Sequence, residues 1–433
     1  MGKDTSDCSL PVRTKKRTFS LKPHDLNFSE FNFDSRLAEG IEASGYLQAT
    51  PVQEQVIPHI LNNRDIIASA QTGTGKTAAF LLPLIHKIIS QPVDHQTITA
   101  LIIVPTRELA IQIAQHLEGL SYFTNISSIA VYGGGDGNAF VQEKKALGSG
   151  ADIVVCTPGK MMSHIKMGYV KMQGLQYLVL DEADRMLDMG FYDDIMFIIN
   201  HLPAKRQNLL FSATMPHKIR EMARKILSNP IEVNISLSKP PEKIIQEVYM
   251  VYDEQKIPLI IHLLQLKKFT SVLIFCSSKL SVKQLTKSLK RNGVKADEIH
   301  SDLEQEQREN VLMQYKSRRL PVLVATDILS RGIDIDNIDL VINFDVPHDG
   351  EDYVHRIGRT ARAEADGMAF TLVSIKEQRK FASIEKLIGK EVKRGLVPAS
   401  LGETPSYNPA PGSRNKKNFS QRRIPRDLPK KAG

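Results

Sequence analysis

Tryptophan is absent from the 433 residues, and aromatic residues make up only 6 % of them. The core must therefore be mostly aliphatic. Cysteine is scarce: Cys8, Cys156 and Cys276 stand far apart, which fits neither a disulfide framework nor a zinc site. A reducing compartment suits that usage, and a cytoplasmic location is expected. No run reaches the ~18 consecutive apolar residues of a membrane span, so no membrane association is expected. No apolar stretch follows the first charges, so no secretory leader is expected either. Acid does not balance base: 57 Lys and Arg against 48 Asp and Glu give a net charge of +9. Residues 404–433 hold eight basic residues and one acid, a net of +7, leaving +2 for the rest. A nearly neutral body with a basic tail suggests a polyanionic partner held partly by the tail.

What is present is organised around Ala70-Gln71-Thr72-Gly73-Thr74-Gly75-Lys76-Thr77. The apolar run Ile66-Ile67-Ala68 precedes it and the helix-forming run Ala78-Ala79-Phe80-Leu81-Leu82 follows. Strand, glycine turn, Gly-Lys-Thr and helix together make a phosphate-binding loop. Gly73 and Gly75 let successive N–H groups turn inward on an anion, and the helix starting near Lys76 points its positive end the same way. Lys76 brings a full charge for the β and γ phosphates, and the Thr77 hydroxyl can ligate Mg²⁺. Ala70 stands where the general pattern has its first glycine. Downstream, Asp181-Glu182-Ala183-Asp184 follows the apolar run Tyr177–Leu180. Carboxylates at the carboxyl end of a parallel strand face the ligand crevice. Asp181 is placed to hold Mg²⁺, and Glu182 to orient and deprotonate an attacking water.

Short apolar runs recur at 100–104, 129–131, 153–155, 177–180 and 209–211, with helical spacings such as Leu109, Ile113 and Leu117 between them. Alternating runs and helices predict an α/β fold with parallel sheets covered by helices on both faces. Residues 1–25 form a basic arm and 26–237 a first domain. Residues 238–245, with Pro240 and Pro241, read as a linker. A second βα series, 246–395, includes runs at 272–275, 322–324, 340–342 and 369–372. Residues 396–433, with Tyr407 and Phe419 isolated, are expected to be a disordered basic tail.

With these motifs in hand, the chain resembles the DEAD-box ATP-dependent RNA helicases of superfamily 2 over about residues 27–395. Gly45-Tyr46, Thr50-Pro51 and Gln53, with Phe28 upstream, resemble the Q motif. Pro105-Thr106-Arg107-Glu108-Leu109, Gly133-Gly134 and Thr157-Pro158-Gly159-Lys160 resemble the RNA motifs of the first domain, and Ser212-Ala213-Thr214 matches the coupling motif. The second half adds Phe275-Cys276-Ser277, Gln305 with Arg308, Ala325-Thr326-Asp327, Arg331-Gly332 with Asp334, and His355-Arg356-Ile357-Gly358-Arg359-Thr360-Ala361-Arg362. Lys160 and Ala361 replace the family's arginine and glycine. The compact core and short tail look most like the bacterial RhlE-type subgroup.

The resemblance implies two tandem RecA-like domains, an RNA-dependent ATPase with ATP and Mg²⁺ as ligands, and sequence-independent contact with single-stranded RNA or a short duplex. Nucleotide contacts then fall to Tyr46, Gln53, Thr72, Gly73, Thr74, Gly75, Lys76, Thr77 and Asp334. Metal contacts fall to Thr77 and Asp181, and catalysis to Glu182 and Lys76 with Arg359 and Arg362 as arginine fingers. The RNA candidates are Arg107, Gly134, Thr157, Gly159, Arg308 and Thr326. Coupling falls to Asp184, Ser212, Thr214, His355 and Arg356. A monomer serving ribosome-assembly or RNA-decay complexes is expected. Two other readings use the same loop: an ATP-gated RNA clamp whose unwinding is incidental, and a nucleotide kinase or unrelated phosphate-loop enzyme. The last has no need of Gln53 or of the 356–362 set.

Overall fold

The structure is a computed structural model, and it describes residues 26–70, 74–91, 96–135, 137–235, 244–326, 338–348, 350–360 and 367–409. The main division of the chain falls at Ser238–Lys239 and separates two compact units. Among the described residues, each unit contains one seven-stranded sheet.

Unit 1 has strands β1 Ile66–Ser69, β2 Ala100–Ile103, β3 Ser128–Val131, β4 Ile153–Cys156, β5 Tyr177–Leu180, β6 Gln207–Ser212 and β7 Ile231–Asn234. They lie in the order β3-β4-β2-β5-β6-β1-β7, all pairs parallel. The helices are α1 Ser35–Ala43, α2 Pro51–Leu61, α3 Lys76–Ile89, α4 Arg107–Leu120, α5 Gly137–Ser149, α6 Pro158–Lys166, α7 Ala183–Asp188, α8 Tyr192–Asn200 and α9 His217–Ile226. Successive strand residues point to opposite faces, and each face has its own core. Ile66, Ala68, Ile102, Val155, Val179 and Phe211 pack with α2, α3 and α4 on one side. Ile67, Leu101, Ile103, Val154, Leu178 and Leu210 pack on the other with Met161, Met186, Ile195 and Ile219. Continuous apolar strands are what a sheet buried on both faces requires.

Unit 2 repeats the plan with β8 Ile244–Met250, β9 Val272–Cys276, β10 Ala296–Ile299, β11 Val322–Thr326, β12 Leu340–Asn343, β13 Gly367–Val373 and β14 Lys393–Arg394, in the order β10-β11-β9-β12-β13-β8-β14. Its helices are α10 Lys256–Leu266, α11 Lys279–Arg291, α12 Gln305–Lys316, α13 Gly350–Ile357 and α14 Gln378–Ile388. No described helix is long and apolar enough to cross a membrane.

Two boundaries differ from the sequence reading. β8 starts at Ile244, inside the expected linker. The chain also stays packed past 395, up to residue 409. Gln255 Nε2 donates to the carbonyls of Leu401 and Glu403 at 2.8 and 2.9 Å, and Gln378 Nε2 to that of Ser406 at 2.8 Å. Tyr407, expected to stand alone, donates its phenol to Glu385 Oε2 at 2.8 Å and lies 4.3 Å under the Arg394 guanidinium. Side-chain amides thus hold a segment whose composition reads as loose.

Candidate nucleotide and RNA site

The phosphate loop leaves β1 beside β6, where the Ala70 N–H donates to the Ser212 carbonyl at 3.1 Å. Thr72 and Gly73 lie outside the described residues. Gly75 precedes α3 with φ +89°, and a Cβ there would sit 2.5 Å from the Gln53 amide nitrogen and 3.0 Å from the Thr50 hydroxyl. Only glycine meets both demands. Lys76 opens α3 and is buried. Its ammonium has no hydrogen-bond partner among the described residues. A buried ammonium whose N–H groups make no hydrogen bond is costly, and a bound phosphate removes that cost. Thr77 follows on the same turn, half-buried.

Gln53 binds the other side of this loop. Its Oε1 accepts from the Thr50 N–H at 2.8 Å and its Nε2 donates to the Gly75 carbonyl at 3.1 Å. One lone pair and one N–H of the amide remain for a base edge. Tyr46 is half-buried, and Phe28 meets its ring edge-on at 5.8 Å and 80°, the supporting wall expected of an aromatic stack.

β5 delivers the acidic residues. Asp181 is fully enclosed, and burial pushes its carboxyl up to about 6, with the Lys76 charge pulling it down. Its Oδ1 accepts from the Glu182 N–H at 2.9 Å. Glu182 has φ +50°, a left-handed backbone that costs a non-glycine residue about 1–2 kcal/mol. Its carboxylate pairs with Arg185 Nη1 at 3.4 Å. Arg185 is not among the residues that the sequence motifs single out, although its three-residue spacing from Glu182 on a helix is a usable signal. Asp184 accepts from the Thr214 N–H at 2.9 Å, and its own N–H donates to Ser212 Oγ at 3.2 Å. Ser212 Oγ donates onward to the Thr214 carbonyl at 2.7 Å. Asp184, Ser212 and Thr214 thus form one closed hydrogen-bond set.

The first-unit RNA candidates collect at the carboxyl edge of the sheet. Thr106 caps α4 through the Leu109 N–H, which sets Arg107 at the start of that helix. The Arg107 guanidinium lies against the turn after β3: a Cβ on Gly134, whose φ is +92°, would collide with it. Thr157 occupies the N-cap position of α6, and its N–H donates to the Val131 carbonyl at 3.0 Å. The turn carrying Gly134 and the start of α6, which carries Gly159, therefore stand side by side.

In unit 2, Arg308 is buried and donates from Nη2 to the His300 carbonyl at 3.2 Å. Thr326 ends β11. His355, Arg356 and Arg359 are buried. Arg356 Nη1 donates to Asn343 Oδ1 at 3.1 Å and to the Asp345 carbonyl at 3.3 Å, and its guanidinium lies 5.1 Å over the Phe275 ring. Asp334 and Arg362 lie outside the described residues.

The DEAD/DEAH box helicase family matches residues 50–222, and the helicase conserved C-terminal domain matches residues 255–364. The ATP-dependent RNA helicase CshA of Listeria monocytogenes is 41 % identical over 367 residues, covering 84 % of this chain and 69 % of the relative. The chain belongs to the DEAD/DEAH box helicases. CshA of Bacillus subtilis is 39 % identical to this helicase, over 86 % of this chain and 74 % of its own. The relatives' name CshA does not confirm the RhlE-type assignment. Among solved structures, Saccharomyces cerevisiae Dbp5 bound to RNA and ADP BeF3 aligns with TM-score 0.76 at 30 % identity, over 85 % of this helicase and 95 % of that chain. Mss116p bound to ssRNA and AMP-PNP aligns with TM-score 0.77 at 26 % identity, over 87 % and 81 %.

Proposed function

We propose that this helicase is an RNA-stimulated ATPase that opens short RNA duplexes locally and with little sequence preference. The observation that carries the nucleotide half is the buried Lys76 ammonium, without a hydrogen-bond partner among the described residues, beside the enclosed Asp181 carboxyl. The residues fit Mg²⁺·ATP: Lys76 awaits an anion, and an enclosed carboxyl raised by burial is ionised readily beside a cation. Thr77 and Asp181 would hold Mg²⁺, which screens phosphate charge when bound. Gln53 and Tyr46 select and stack the adenine, and Asp334 takes a ribose hydroxyl.

Glu182 takes a proton from water as the water oxygen attacks the γ-phosphorus. The bond to the bridging oxygen breaks, leaving ADP and phosphate. Arg359 and Arg362 of the second unit supply charge to that transition state, a contribution of ~10³ to 10⁵ in rate for arginine fingers. Arg107, Gly134, Thr157 and Gly159, with Arg308 and Thr326, grip one strand through its backbone, which gives affinity without sequence preference. A strand gripped and bent cannot stay in an A-form duplex. The Asp184–Ser212–Thr214 set passes the nucleotide state on, with His355 and Arg356 as its second-unit counterparts. The helicase acts as a cytoplasmic monomer, within ribosome-assembly or RNA-decay complexes. Strand displacement tests the reading: a labelled short duplex should separate with ATP and not without it. An RNA-bound lifetime that lengthens with ATP, with no displacement, would support a clamp instead.

A further inference from the structure

A partly buried ionic cluster lies behind the Gly134 turn and the start of α6 in unit 1. Glu143 on α5 is buried. Its Oε2 meets Lys160 Nζ at 2.9 Å and His164 Nε2 at 3.0 Å, both on α6. His164 has no exposed surface, and its Nδ1 contacts the Tyr169 hydroxyl. Phe140 of α5 stacks on the His164 ring at 5.3 Å and 15°, and Lys160 Nζ lies 5.3 Å from the centre of the Phe140 ring. Burial pushes the Glu143 carboxyl up, but the bonds from His164 and Lys160 outweigh it and hold it below the usual range. The Glu143 carboxylate is therefore ionised and its contact with Lys160 is an ion pair.

Its position matters more than its strength. α5 begins three residues after Gly134, and α6 begins one residue after Thr157. Glu143 and Leu147 are the only buried residues of α5. The helix that follows the Gly133–Gly134 turn thus has only two buried anchors, and one of them is this carboxylate. The Lys160 charge, at the position where the family carries an arginine, is already matched.

We propose that Glu143 is a positioning residue for RNA binding: through Lys160 and His164 it fixes the Gly134 turn against the start of α6 at Thr157–Gly159, and Lys160 is its strut rather than a phosphate ligand. This rests on the reading that Gly134, Thr157 and Gly159 meet RNA. Neither helix can tilt without breaking the Glu143–Lys160 pair or the buried His164–Glu143 hydrogen bond, so the spacing of the two segments is set before RNA arrives.

The test is RNA titration of ATP hydrolysis in the full chain, at several salt concentrations. Lys160→Ala should raise the half-saturating RNA concentration about tenfold, within the range of coupling found in one side-chain network. Lys160→Arg should restore it. In a Glu143→Ala background, Lys160→Ala should add nothing. The salt slope should not change with Lys160→Ala, whereas removing a group that neutralises a phosphate lowers it by ~0.7 for a single strand. An equal effect of Lys160→Ala in both backgrounds with a slope lowered by ~0.7 would overturn the inference, as would no effect at all. Should the Glu143→Ala background fail to fold, the salt slope and the Lys160→Arg rescue decide alone. Thr157→Val separates the two levels. If it weakens RNA binding while Lys160→Ala does not, the strut alone is wrong; if neither matters, the RNA reading of these turns falls with it.

Discussion

Gly134→Ala probes the proposed RNA face where its geometry is tightest. Gly134 has φ +92°, and its missing Cβ leaves the space that the Arg107 guanidinium occupies. Alanine there faces two costs. A left-handed backbone costs an L-residue about 1–2 kcal/mol, and the Arg107 head group must leave the turn. If that cost falls on the RNA-binding conformation, the RNA concentration for half-maximal ATP hydrolysis rises roughly 5–30-fold. The maximal rate at saturating RNA should change less, because the phosphate loop and the Asp181–Asp184 segment lie on other strands. Gly168→Ala is the control. Gly168 also has a positive φ, +79°, but open space around its Cβ position, so it carries the backbone strain without the collision. RNA titrations and thermal melts of both variants complete the experiment. A folded Gly134→Ala protein with unchanged RNA half-saturation, or the same loss in Gly168→Ala, would refute the reasoning.

Three further expectations rest on named hydrogen bonds and charges. Gln53→Ala leaves the Thr50 N–H and the Gly75 carbonyl without their partner, at about 1–3 kcal/mol, so the Michaelis constant for ATP should rise and the preference over GTP should narrow; a wild type that hydrolyses GTP as readily as ATP removes the adenine reading. Ending the chain after Pro409 keeps Tyr407 on Glu385 but removes the eight basic residues, so RNA binding should weaken and its salt dependence flatten by ~0.7 for each phosphate no longer neutralised; equal slopes rule out a tail tether. Ser212→Ala removes the hydroxyl that joins the Asp184 N–H to the Thr214 carbonyl, and duplex separation should fall further than ATP hydrolysis; an equal fall in both contradicts the coupling role.

The parts of the fold legible in the sequence are those where chemistry is local. β2, β4 and β5 are unbroken apolar runs, and β1 is one as far as Ala68, because both faces of their sheet are buried. β10 gives no such signal, because Ala296-Asp297-Glu298-Ile299 lies at a sheet edge and half of it stays wet. The start of β8 is hidden by the proline-rich linker before it. The Lys76 environment and the Asp184–Ser212–Thr214 bonds are foreseeable, since motifs place those groups at neighbouring strand ends. Arg185 escapes the motifs, though its partner stands three residues away. The Glu143–Lys160–His164 cluster is not legible: its members on α6 lie 17 and 21 positions from Glu143 and meet it only because β3 and β4 are adjacent. The 396–409 segment reads as loose by composition and is held by side chains from α14 and from the turn before α10.

The most direct test of the central claim is single-turnover ATP hydrolysis by Glu182→Gln in the presence of RNA, with bound ATP and RNA measured in the same sample. Glutamine keeps the size of the side chain and an oxygen for Arg185 but takes no proton from water. The account predicts that hydrolysis falls by ~10² to 10⁴, the usual contribution of a general base, and that ATP and RNA stay bound together. Hydrolysis near the wild-type rate would contradict it, because the water-activating group would then lie elsewhere.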